Sequence, residues 1–160
     1  MKKALKWVVI VLVVLFVAAQ AYRPNLSAPP PDDSKSMSAN THMTPEVSSI
    51  LERSCNDCHS SKTSWPWYSQ IAPVSWYLKN HVDEGRRNFS MSDWGTYPAK
   101  KAARKLGEIC EQVKKGDMPL KSYLLLHPAA KLSGDDKKTL CEWAESESSR
   151  LQSSQTAGAQ

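Results

Sequence analysis

Apolar and polar positions along this 160-residue chain follow several distinct rhythms, and each one predicts a different element. Lys2, Lys3 and Lys6 precede an unbroken apolar run of 13 residues, Trp7 to Ala19. Ala19-Gln20-Ala21 then places small residues where a signal peptidase reads them. A membrane-spanning helix needs roughly 20 apolar residues, so this run is short. Residues 1–21 are therefore expected to be a signal peptide or a short membrane anchor. In either case the leading positive charges keep the N-terminus inside, and the chain beyond Ala21 is exported, in the periplasm.

Residues 22–43 have no apolar periodicity and contain Pro29-Pro30-Pro31, which reads as a flexible linker. Residues 146–160 are rich in Ser and Gln around a lone Leu151 and read as a disordered tail. The foldable part is residues 44–145. Its apolar spacing is helical throughout, and no strand pattern is convincing.

Thr44-Pro45-Glu46 is a helix start: a cap, a Pro at the first helical position and an acid in the first turn. Val47, Ile50, Leu51 and Cys55 follow on one face. A second helix is expected from Val74 to about Glu84, with Gly85 as its stop. A third runs from Ala99 to Lys115, with Ala102, Ala103, Leu106, Cys110 and Val113 in one stripe and Gly116 closing it. Ser133 and Asp136 resemble a capping box for a last helix carrying Leu140, Cys141 and Ala144. Between these elements lie long polar and aromatic loops. The core material is thin, which suggests that something besides side chains fills the centre.

Composition sharpens this picture. Hydrophobic residues make up 41% and charged residues 23%, which excludes a disordered chain and a multi-span membrane protein. The formal net charge is +5. Three of the basic residues stand in the first 21, where there is no acid; the remainder is close to balanced. No Lys/Arg stripe with interleaved aromatics appears, so nucleic acid is not an expected partner.

The chemistry is concentrated in Cys55-Asn56-Asp57-Cys58-His59. In an exported chain, C-x-x-C-H is the attachment signature of a c-type haem. Two thiols three residues apart on one turn can each add to a haem vinyl group, and His59 then offers a ring nitrogen to the iron. Rival readings fit less well. A thioredoxin-like pair wants a βαβ unit, and a zinc site wants a second ligand pair at metal spacing. A structural disulfide between Cys55 and Cys58 would not need His59.

The sixth position of such an iron has several candidates. Met118 stands in Lys115-Gly116-Asp117-Met118-Pro119, between a helix stop and a stiff Pro, and is the expected distal ligand. Its rival role is that of a core gap-filler. His127, His81, Met91, Met43 and His42 are the others. Trp65, Trp67, Tyr68, Trp76 and Tyr77 are expected to pack on the haem face. Arg53, Lys62 and Arg86 are read as solvated surface charges. Cys110 and Cys141 lie on two apolar helix stripes, either as a disulfide or as buried free thiols.

The stretches Ser54 to Ser60, Trp65-Pro66-Trp67-Tyr68-Ser69 and Ile71-Ala72-Pro73-Val74-Ser75-Trp76 together resemble the bacterial exported haem-binding domain family, related to class I cytochromes c. Asn88-Phe89-Ser90, Gly116 to Leu120, Tyr123, His127-Pro128 and Leu132-Ser133 continue the resemblance to Trp143. It implies an all-α, cytochrome c-like domain around one covalent haem c, with His59 and Met118 as the axial pair. Cys110 and Cys141 are not hallmarks of that resemblance. The function expected is electron transfer by a single-haem carrier without enzyme activity, acting with redox protein partners. A haem-based sensor or peroxidase-like enzyme, and a haem-stabilised interaction module, are the alternatives.

Overall fold

The computed structural model describes residues 2–157 and is all-helical, with no strand among the described residues. The helices are α1 Lys2–Ala19, α2 Met37–Asn40, α3 Pro45–Ser54, α4 Asn56–His59, α5 Val74–Asn88, α6 Ala99–Lys115, α7 Lys121–Leu124 and α8 Gly134–Ala157. None of them is long and apolar enough to cross a membrane.

The helix signals act as the sequence suggests. The Thr44 hydroxyl accepts from Val47 N at 3.3 Å and caps α3. Gly116 closes α6 with φ 77°, a left-handed conformation that glycine adopts without a Cβ clash. The N–H groups of Asp117 and Met118 then return to Gln112 O at 3.0 and 3.3 Å. Ser133 and Asp136 form the reciprocal box, at 3.0 Å to Asp136 N and 2.7 Å from Ser133 N.

α6 and α8 make the most extensive helix pairing. Leu106, Val113, Leu140 and Ala144 are buried between them. Cys110 and Cys141 are joined as a disulfide, with Cα atoms 4.8 Å apart. Val47, Ile50 and Leu51 of α3 complete this core, together with Trp94 and Trp143.

Three boundaries differ from expectation. α5 does not stop at Gly85 but continues to Asn88. Gly85 is there because the helix passes close to α4: a Cβ at this position would lie 2.5 Å from the Cys58 carbonyl oxygen. The tail expected from Ser146 is helical as far as Ala157, and residues 158–160 lie outside the described residues. Its polar residues hold it in place. Ser148 donates to Ala103 O at 3.3 Å, and Arg150, paired with Glu147 within the helix, donates to Asn40 O at 3.4 Å. The linker, too, is partly integrated. Met37 is 1% exposed within the main core, and its N–H donates to Met91 O at 2.7 Å.

The N-terminal half of the linker lies along the aromatic loop. Trp65 Nε1 donates to Leu26 O at 2.9 Å, and Trp76 Nε1 to Tyr22 O at 2.9 Å. The Gln20 amide pairs with both backbone groups of Ala72, accepting from N at 2.9 Å and donating to O at 3.1 Å.

Candidate functional site

The C-x-x-C-H motif forms a turn of its own. α3 ends at Ser54, and Cys55 leaves helical geometry at φ −126° and ψ −30°. A short new helix follows, in which His59 N donates to Cys55 O at 3.0 Å. Cys55 and Cys58 are both free, half-buried thiols. Burial pushes the Cys55 thiol up to about 12, with the neighbouring Cys58 adding to the effect. Burial, then the Asp57 charge, pushes Cys58 up to about 11. Both thiols are thus protonated at neutral pH. A thiol–disulfide exchange couple needs the opposite shift, because the thiolate is its nucleophile.

Asp57, between the two cysteines, ties this turn to the rest of the site. Its carboxylate accepts from Ser64 N at 2.9 Å and from the Tyr123 hydroxyl at 2.7 Å. Burial, and donation to Asp57, hold the Tyr123 phenol well above its usual range. Arg86 is not a solvated charge: it donates to Ser60 O at 2.7 Å and Thr63 Oγ1 at 2.8 Å, locking the chain that leaves the motif. Arg53 pairs with Asp136 at 2.6 Å, and Lys62 with Asp33 at 3.3 Å.

Beside the turn lies an almost wholly apolar cavity of about 310 Å³. Its walls come from Cys58, the loop residues Trp65 and Tyr68, Leu78 and Val82 of α5, and Tyr123 of α7. Tyr77, His81, Leu126 and His127 also line it. Trp67 and Trp76, also expected at a haem face, do not line it, and Trp67 is 77% exposed.

The predicted site residues are only partly brought together. Cys58 is on the cavity wall. His59 is buried beside it, its ring stacked on Phe89 at 4.1 Å and its Nδ1 donating to Phe89 O at 3.2 Å. Burial keeps its imidazole pKa below the ordinary value. Met118 is half-buried against the main core and does not line the cavity.

Gly85, Asp57 and the clamping role of Tyr123 are parts of the site that the sequence pattern does not single out by itself. A signal for the last is nevertheless present, since Tyr-Leu-x-x-His occurs twice, at residues 77–81 and 123–127. Both copies line the cavity.

These features define an all-helical protein whose incomplete apolar centre adjoins a C-x-x-C-H turn. A cavity of this volume falls at the lower end of those that take flat organic ligands. The residues fit a covalently held haem: Cys58 faces the apolar space, and the turn is braced on both sides. A family model described as a haem-binding domain matches residues 14–146. The chain belongs to that haem-binding domain family. No curated protein and no solved structure matches it.

Proposed function

We propose that this haem-binding protein is a c-type, single-haem electron carrier of the periplasm. The observation that carries this reading is a Cys55-x-x-Cys58-His59 turn whose Cys58 lines an aromatic cavity, with Cys55 packed on the main core and His59 buried beside it, in a member of the haem-binding domain family. Cys55 and Cys58 would hold the haem through thioethers, each thiol adding its sulfur to one vinyl carbon and its hydrogen to the other, with no oxidant needed.

When bound, haem supplies a one-electron ferric/ferrous couple. The chain does the rest. Cys55 and Cys58 would hold the group, and His59 would supply a ring nitrogen to its iron. Asp57 and Tyr123 fix the attachment turn. Trp65, Tyr68 and Val82 exclude water, which disfavours the more highly charged ferric state and raises the potential. His81 and His127 are held by backbone carbonyls rather than by carboxylates, an arrangement that favours a carrier over a peroxidase-type distal acid/base.

The test is production with the haem-attachment machinery present. Haem should survive denaturing electrophoresis, and the protein mass should rise by one haem. Non-extractable haem in the Cys55→Ala/Cys58→Ala double variant would sink this reading. The Gln20–Ala72 pairing supports retention of α1 as an anchor after export, because cleavage after Ala21 would discard Gln20. Intact mass of the exported protein decides: a chain beginning at Tyr22 refutes retention.

A further inference from the structure

We infer that the iron ligand on the cavity side is His127, not Met118. The inference rests on the covalent-haem reading above and specifies its sixth coordination position.

The two Tyr-Leu-x-x-His segments share one local design. In each copy the His ring packs on the Tyr four residues earlier. His127 lies on Tyr123 at 4.0 Å and 9°, and His81 on Tyr77 at 4.1 Å and 39°. In each copy Nδ1 donates to the carbonyl of that same Tyr, at 3.0 Å for His127 and 2.9 Å for His81. A donated Nδ1–H fixes the tautomer and leaves Nε2 as the nitrogen with a free lone pair. That is the support a metal-bound imidazole ordinarily has.

The two copies differ in how firmly they are held and in what they are held to. Tyr77 is 50% exposed, and its hydroxyl reaches only Ser122, at 3.3 Å. Tyr123 is half-buried, and its hydroxyl is bonded at 2.7 Å to Asp57, inside the attachment motif. The chain Asp57–Tyr123–His127 thus refers the imidazole to the turn that carries both cysteines. The other side of His127 is fixed as well: it caps the short helical turn Pro128–Ala130, and Ala130 is buried. His81 belongs to α5, the helix packed directly against α4, whereas α7 approaches that turn through the Tyr123 side chain. Cys58 and His127 thus line the cavity from different elements, α4 and the chain just beyond α7. Met118 lacks this support: no side-chain hydrogen-bonded chain ties it to the turn, and its side chain packs, like that of Cys55, against the main core.

The experiment uses the full-length holoprotein. A haem stain after denaturing electrophoresis comes first, and a wild-type protein without gel-stable haem overturns the covalent-haem reading and this inference with it. Ferric and ferrous spectra, with near-infrared magnetic circular dichroism, then report the ligands. The wild type should show two imidazole ligands and no Met-to-iron band. Met118→Leu should leave those spectra unchanged. His127→Ala should lose the low-spin spectrum and bind carbon monoxide, and added imidazole should restore low-spin iron, a rescue that misfolding would not permit. Tyr123→Phe should keep the ligand set but broaden the ferric low-spin resonance, because the imidazole loses its reference to Asp57. The inference is overturned if Met118→Leu turns high-spin, if His127→Ala retains the wild-type spectrum, or if His81→Ala is the variant that loses it.

Discussion

α6 and α8 bury Leu106, Leu140 and Ala144 completely, whereas α5 buries only Ser75 and Val82, and α7 buries nothing. Just beyond α7, Leu125 is 82% exposed. One half of the molecule is thus a finished core sealed by a disulfide. The other is a set of braced walls around an apolar space. Side chains alone stabilise the first half. The second has aromatic and aliphatic surface but no partner of its own for it, and burial of apolar area is the dominant favourable term in folding. Haem, the ligand of this family, would cover that surface, so cofactor binding and folding of the cavity half should be coupled.

The largest effect should come from withholding the haem. In the Cys55→Ala/Cys58→Ala variant, amides of α5 and α7 should exchange with solvent orders of magnitude faster than in the holoprotein. Amides of α6 and α8 should change little. Equal loss of protection in all four helices would erase the distinction between the halves.

The finished half has a complementary weak point. Cys110 and Cys141 close a loop at a sequence separation of 31. Replacing both by Ser should cost about 3–4 kcal/mol in the chain-entropy treatment, measured by denaturant unfolding. The loss should fall on α6 and α8 and leave the haem spectrum intact. A changed spectrum would mean that the cavity depends on the disulfide after all.

One substitution made in both halves should give opposite signs. Gly107 is exposed on α6, and a Cβ there meets nothing within 4 Å. Gly107→Ala should therefore stabilise by about 0.5–1 kcal/mol through helix propensity. Gly85→Ala puts the same methyl 2.5 Å from the Cys58 carbonyl oxygen. It should destabilise by about 1–3 kcal/mol and lower the yield of attached haem, because α5 must move off the attachment turn. Thermal unfolding of the two variants provides the comparison, and a stabilising Gly85→Ala would show that α5 is not held against α4.

The two halves are also unequally legible in the sequence. α6 and its stop, the α3 cap and the α8 capping box are legible from local spacing, because each signal acts within one turn of the residue that carries it. The helical character of the whole chain is legible for the same reason. Gly85 looks like a stop and is not one, because its reason is a contact with Cys58, far away in sequence, whereas Gly116 is a true stop because its reason is its own φ. The end of α8 resembles a tail because its hold on the domain is mostly polar: Ser148 donates to Ala103 O and Arg150 to Asn40 O, beside the packing of Leu151 on the core. Of the site, the C-x-x-C-H turn is legible by spacing. The Asp57–Tyr123 clamp is not, because the partners are 66 residues apart and no local signal pairs the C-x-x-C-H turn with one of the two Tyr-Leu-x-x-His segments.

The smallest effect should be the acid response of the finished half. Arg53 of α3 reaches Asp136 of α8 at 2.6 Å. The Arg53 hydrogen bond, then the Ser133 backbone N–H, hold the Asp136 carboxyl down at about 2. A carboxyl depressed in the folded state stabilises above its unfolded value of about 3.9, and that contribution is lost as pH falls toward 2. Both side chains are partly exposed, so solvent screening limits the pair to about 0.5 kcal/mol. Arg53→Gln should therefore lower stability slightly at pH 6 and make no difference near pH 2, where Asp136 is protonating in either protein. The haem spectrum should be unchanged at both pH values, because Arg53 joins α3 to α8 and touches neither the cavity nor Asp57. Denaturant midpoints at the two pH values measure the first claim. A midpoint difference that persists at pH 2 would mean that Arg53 acts by packing its stem rather than by its charge.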